Sequence, residues 1–430
     1  MDVKFNKLTG LYALLILSIG NASLRLTDGG MSSFFRILAP LFVIAICFNY
    51  RTKLFKSLIV VLGGILYSVA VSLIGYGTVM FEYIIFAIYI YAVFVIMFCI
   101  RETVDDFELN FWNFLHITTS IVLILAVIQF FVRIPYPFVT LPVKRGINLF
   151  MSNENEMALP LGMMSFIYLY KMLFNKKKKY LLHFALILVI IFINDAKLTL
   201  IGCILGYVVL LFYYMTKKIK FSPTLIILSV LGVLTLGIAF LYIFNPTVTF
   251  RDYSINMTDL IFSAVESIVK LEPLPGSGGS LVDRTNAIIY GVRELIKSGF
   301  LGIGWGNSVT MLSMSEYQLM TAKSMHNIFF QFLCEMGIFA IVVYWLFVKA
   351  LLRNNKNIYK DTNCILKNTF IIAFIIVSAQ SSIGILSNYY MWIIVFYVAL
   401  LPSKNTKRKK KESLKENAQF CQVVKGENCG

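Results

Sequence analysis

Charge is scarce in this sequence. Only 14% of its 430 residues are charged, against about a quarter in an ordinary soluble domain. With 58% hydrophobic residues, that shortage excludes a disordered chain and argues against a soluble globule. Histidine is rarer still, at three residues, and the seven cysteines show no Cys-x-x-Cys or Cys/His metal spacing. No glycine-rich nucleotide loop occurs. The expected cofactor is therefore none, neither metal nor nucleotide, and no structural disulfide is expected.

What the chain has in quantity is apolar runs of about 20 residues, each long enough to cross a bilayer. They predict an all-α polytopic membrane protein of about 12 (11–12) transmembrane helices, with one large extracytoplasmic loop containing amphipathic helices. Spans are expected at 10–26, 31–50, 57–77, 79–100, 113–132, 157–174, 181–195, 198–216, 222–244, 328–348, 368–386 and 387–402. The first has a basic start but no small-residue cleavage site after it, and reads as a retained helix. The domain layout is then a membrane domain over 1–244, a loop or lid over 245–325, a second membrane portion over 326–402 and a basic tail over 403–430.

The net charge of +17 is a matter of topology before it is one of ligands. With both termini in the cytoplasm, 27 of the 39 basic residues fall on the inner side, including Lys176 to Lys179 and the Lys407 to Lys411 run. The 245–325 loop holds six bases and seven acids, so it is near neutral, and the excess gives no reason to expect a nucleic acid partner. Within it, Met257, Leu260, Ile261, Ala264, Val265 and Ile268 recur at helical spacing, as do Ile288, Ile289, Val292, Leu295 and Ile296. Two amphipathic helices are expected, joined by a turn rich in proline and glycine around Pro273 to Gly279. Ordering some eighty residues over one face suits a catalytic or recognition lid, or a plug over the bundle.

The most specific pattern begins at Asp283-Arg284-Thr285, runs through Gly302-Ile-Gly304-Trp-Gly306-Asn307, and reaches His326-Asn327 and Glu335-Met-Gly337. It resembles the O-antigen polymerase and ligase superfamily, whose large outer loop runs from an Arg at a helix start, through a Gly-x-Gly turn, to a His-Asn pair before Glu-x-Gly. Arg145-Gly146 with Asn153-Glu154-Asn155 is similar to the family's Arg-Gly and Asn-Pro-Asn segment, with Glu154 in the proline's place. Asp195-Ala196-Lys197 resembles its Ser-Arg position, with Lys for Arg.

The resemblance implies a glycosyltransferase that takes a polyprenyl-pyrophosphate-linked oligosaccharide at the outer face of a bacterial cytoplasmic membrane, for capsule, exopolysaccharide or O-antigen. Membrane lipids are further partners, with a flippase and a chain-length regulator as candidates. The leaving pyrophosphate needs its charge held and the acceptor needs orienting. Arg284, whose guanidinium can grip phosphate bidentately, is the first candidate for both catalysis and pyrophosphate binding. Lys197 and Arg145 are candidates for the same phosphates, each with a bland alternative: snorkelling or pairing with Asp195 for Lys197, flanking a loop beside Lys144 for Arg145. His326, expected at the start of a span where the helix dipole favours a neutral ring, would accept the acceptor hydroxyl's proton or contact phosphate. Asn327, Gly302, Gly304 and Arg293 are supporting candidates: the glycines read as a turn needing positive φ, and Arg293 as a solvated or outlying residue. Glu335 reads as a hydrogen-bonding core residue, and His116 and His183 as structural. Polymerase, ligase and lipid-linked oligosaccharide flippase all remain open, although the spans are nearly charge-free, which favours surface chemistry over transport.

Overall fold

The computed structural model describes residues 51–104, 106–132, 146–149, 154–194, 196–219, 247–250, 253–274, 280–314, 325–355, 362–378, 386 and 388–402. The spans expected at 10–26, 31–50 and 222–244, and the tail after 402, lie outside them.

Helices dominate, as the apolar runs require: in a bilayer every backbone polar group must be satisfied within its own segment. The membrane portion comprises α1 (Arg51–Tyr76), α2 (Phe81–Thr103), α3 (Phe107–Phe131), α4 (Glu154–Asn175), α5 (Leu181–Ile193) and α6 (Lys197–Ile219). Among the described residues, five helical segments are long and apolar enough to cross a membrane: Lys56–Gly75, Phe81–Thr103, Phe107–Phe131, Glu154–Asn175 and Ile328–Leu346. Shorter apolar helices cover Thr199–Met215, Thr362–Ile375 and Tyr389–Leu400.

Burial separates the centre of the bundle from its rim. In α4, 78% of the most apolar window is buried, against 22% in α1 and 28% in α3, so α4 is central and the other two turn broad faces outward. Several polar groups inside the core are paired, which offsets the cost of burying them: Trp112 Nε1 donates to Tyr180 Oη at 2.7 Å, and Thr119 Oγ1 lies 2.6 Å from Tyr390 Oη.

The loop region opens with an antiparallel hairpin that the all-helical expectation did not include. Strands β1 (Thr247–Phe250) and β2 (Tyr253–Asn256) pair Thr247 with Asn256 and Phe250 with Tyr253. Two amphipathic helices follow, α7 (Met257–Lys270) and α8 (Ser280–Lys297), then a short α9 (Asn307–Leu312). Two side-chain clips join α7's end to α8. Asn286 accepts from Leu274 N at 2.8 Å and donates back to Leu274 O at 3.2 Å, while Arg293 Nε donates to Leu271 O at 2.7 Å.

The chain then returns through α10 (Ile328–Asn355), α11 (Thr362–Ser378) and α12 (Tyr389–Leu400). Helix α10 is broken at Gly337, where φ is 48° and ψ −125°.

Candidate active site

Arg284 sits in the first turns of α8, and α8 packs on the start of α10. The packing is close because position 291 has no side chain: a Cβ there would lie 2.2 Å from Met325 Cε and 3.0 Å from Cys334 Sγ. Ala287, Ile303, Met311, Leu312, Met325 and Cys334 form the buried apolar cluster at this junction. Apolar burial thus fixes α8 against the residue preceding His326.

Two features mark Arg284 itself. It is half-buried, and its Nε meets no acceptor among the described residues. A guanidinium held partly out of water with a donor unmatched among those residues is costly to keep. Burial also pulls its pKa down, although a guanidinium stays charged at any working pH.

His326 lies near enough to feel that charge. Its pKa is lowered from 6.5 first by burial and then by the Arg284 guanidinium. The cause differs from the one expected, because His326 is not in the first turn of a helix. It stands in the left-handed region at φ 49°, and helix α10 starts at Ile328. Asn327 is the cap: its Oδ1 accepts from Phe329 N and Phe330 N, both at 3.1 Å. Asn327 therefore serves the helix end and leaves the imidazole to the site.

The glycine-rich turn is docked where α10 breaks. With Gly337 out of helical conformation, the Cys334 and Glu335 carbonyls are free to accept from outside, and Ile303 N (3.2 Å) and Gly304 N (2.8 Å) donate to them. Ile338 N returns a bond to Phe300 O at 2.9 Å. Glu335, fully buried, accepts through Oε1 from Ser308 Oγ at 2.5 Å and Gln331 Nε2 at 2.8 Å. The two motifs that the sequence keeps thirty residues apart are thus one joint, and Glu335 is its core hydrogen-bonding residue. Trp305 N and Tyr67 Oη complete the seat, bonding Ser68 Oγ at 2.9 Å and Leu301 O at 2.7 Å.

Beneath the joint an apolar groove of about 590 Å³ runs between α1, α2, α10 and α12. Trp305, Gln331 and Glu335 line it, as does Ile328, two residues after His326.

Residues 182–345 match the O-antigen ligase family model. The O-antigen ligase match takes in Lys197, Arg284, the glycine turn, His326-Asn327 and Glu335-Met-Gly337, and agrees with the O-antigen polymerase and ligase superfamily that the motifs resemble. Members of that family are glycan-processing enzymes, and the apolar helices make this chain a membrane protein. No curated protein matches the chain.

Within and beside the matched segment, the remaining candidates fall into two groups. Arg293 is partly buried, and its bond to Leu271 O ties the two loop helices together. Lys197 is the first residue of α6, and its side chain, like all of Arg145, lies outside the described residues.

The residue that motif reading missed is Asn194. Buried at the turn before Lys197, it accepts from Ile147 N at 2.8 Å and donates to Ile147 O at 2.8 Å and Glu154 O at 3.1 Å. Gln129 holds the next two residues, donating to Asn148 Oδ1 and accepting from Leu149 N, each at 2.8 Å. Ile147, which follows the Arg-Gly pair, and Glu154 of the Asn-Glu-Asn segment are thereby fastened to one buried amide at the end of α5. No apolar period or charge marks such a residue, and the polar tail of an apolar run was its only visible signal. Asn194→Ala strands two Ile147 backbone groups and the Glu154 carbonyl, at a cost of about 2–3 kcal/mol. Asn194→Asp should be no milder, since its second oxygen would face two carbonyls. Thermal unfolding in detergent measures both.

Proposed function

We propose that the protein is a polysaccharide polymerase that joins polyprenyl-pyrophosphate-linked oligosaccharide repeat units at the outer face of the cytoplasmic membrane. The observation that carries this reading is the partly buried Arg284, with a donor unmatched among the described residues, beside a His326 whose pKa is lowered, two residues before Ile328 in the wall of an apolar groove. A lipid-linked pyrophosphate has the matching parts: a long apolar tail for the groove and a dianionic head for the cation.

In the reaction the acceptor hydroxyl oxygen attacks the anomeric carbon of the donor glycan. The bond from that carbon to the pyrophosphate oxygen breaks, and the polyprenyl pyrophosphate leaves with the bonding pair. His326 takes the hydroxyl proton, and Arg284, with Lys197 and Arg145, offsets the charge gathering on the leaving group. Fixed cations oriented beforehand need little reorganisation as that charge develops.

A ligase that passes a finished glycan to a different acceptor is the second reading, favoured by the description of the matched family. Purified protein given one lipid-linked repeat unit and no nucleotide sugar separates the two. A ladder of chain lengths supports the polymerase, and transfer only to an added second acceptor overturns it in favour of the ligase.

The rate should also carry His326's signature in pH. A base must be unprotonated to act, and burial and Arg284 both hold its pKa below 6.5. Elongation should therefore be flat through neutrality and fall only as pH drops below 6.5, with the proton gained on the low side removing the base. An acid limb centred above 6.5 would remove His326 from the role.

A further inference from the structure

A second crevice, of about 300 Å³, opens between α3 and α5. Leu123, Ile124, Val127 and Ile128 form one wall, and Leu182 and Leu186 the other. Ile124 and Leu182 remain 60% and 65% exposed, so the crevice opens sideways, as a groove for a membrane component would. From Ser120 to Ile128 it follows α3 for about 12 Å.

One end is polar. Ser120 and His183 close it, with His183 Nε2 3.0 Å from Ser120 Oγ. Directly before α5 come Lys176, Lys177, Lys178 and Lys179, all exposed, with no acidic residue between Met172 and Ile193. These lysines are not on a loose strand. Lys178–Tyr180 forms a 3-10 turn, Tyr180 is buried, and Trp112 holds its hydroxyl. Lys179 lies within electrostatic reach of His116, whose ring is 4.6 Å from that of His183. A fixed cationic turn, whose lysines have no ion pair among the described residues, therefore stands by the polar end of an apolar crevice.

We propose that this crevice is a binding site for an anionic phospholipid of the leaflet on the lysine face. The headgroup phosphate meets Lys177, Lys178 and Lys179, and one acyl chain lies between α3 and α5. Charge complementarity selects this occupant: each lysine near a membrane surface adds attraction for an anionic headgroup, and a zwitterionic one gains far less. A zwitterionic lipid would use the groove walls with little gain from the lysine turn. The inference is independent of the glycosyl transfer reaction.

Native mass spectrometry of the full chain, delipidated and then offered phosphatidylglycerol or phosphatidylcholine in equal amounts, tests it. The expected result is retention of phosphatidylglycerol over phosphatidylcholine by about tenfold or more. Lys177→Gln/Lys178→Gln/Lys179→Gln should bring the two lipids level. Ile124→Trp, at an exposed wall position, should lower phosphatidylglycerol retention with all the lysines intact and thermal unfolding unchanged. Equal retention of both lipids by the unaltered protein overturns the site. So does an Ile124→Trp variant that retains phosphatidylglycerol as well as the parent, since the lysines would then be acting without the crevice.

Discussion

Arg284→Ala is expected to lower kcat/KM for elongation by about 10²–10³-fold, the usual consequence of removing one preorganised group that stabilises transition-state charge. Stability should move the other way or not at all. The Arg284 Nε is buried without an acceptor among the described residues, and alanine or methionine there removes a desolvation cost of up to about 1–3 kcal/mol. A residue kept for the fold would show the reverse pattern, losing stability first and activity in proportion. Arg284→Met, which keeps the apolar stem and deletes the charge, is the sharper variant: its unfolding temperature should equal or exceed that of the parent while elongation is lost. Arg284→Lys retains a cation but not the two-pronged donor, and should fall between them, at about tenfold below the parent.

A second readout ties this residue to His326. Because Arg284 contributes to the lowered pKa of that ring, removing it should shift the acid limb of the residual activity upward, toward the ordinary 6.5. Unchanged ladders from either Arg284→Ala or Arg284→Met would take Arg284 out of the mechanism.

The membrane helices were legible because burial in lipid leaves hydrophobicity as the main selector of sequence. The runs read at 57–77, 79–100 and 157–174 correspond to helices at Arg51–Tyr76, Phe81–Thr103 and Glu154–Asn175. Where the reading was short, polar residues inside a helix were the reason. The run at 113–132 becomes a helix from Phe107, whose first turns contain Glu108 and Asn110. Hydropathy stops at those residues, but Phe107 and Phe111 stack with each other and pack on Tyr397, so aromatic packing carries the helix further.

The site divides along a similar line. Arg284, His326 and the glycines were visible because their residue types are unusual in such surroundings. Their relations were not visible, since no spacing rule states that Gly302 and Gly337 are backbone neighbours or that Asn194 is a clasp. His326 shows the limit well: its neutrality was foreseen, but from a helix dipole, whereas the ring precedes the helix and owes its shift to burial and to Arg284.

The joint between the glycine turn and the broken α10 carries the largest expected effect on folding. A Cβ at position 302 would sit 2.5 Å from the Glu335 carbonyl oxygen and 2.8 Å from Gly337 N. One at 337 would sit 2.2 Å from Phe300 O and 2.4 Å from Leu301 C. Every one of these partners is backbone, so no rotamer change relieves the clash, and both positions also have φ in the left-handed region, at 88° and 48°. Strain of about 1–2 kcal/mol adds to overpacking of about 1–3 kcal/mol. Gly302→Ala and Gly337→Ala should each cost about 2–5 kcal/mol, enough to deplete folded protein from the membrane fraction. Gly299 separates the two causes. It has φ 61°, but a Cβ there would meet nothing within 4 Å, so Gly299→Ala should cost only the strain, about 1 kcal/mol. Thermal unfolding of the three variants in detergent measures the difference. If Gly302→Ala is no worse than Gly299→Ala, the turn is not seated on the broken helix, and the joint between the loop and the spans would have to be drawn elsewhere.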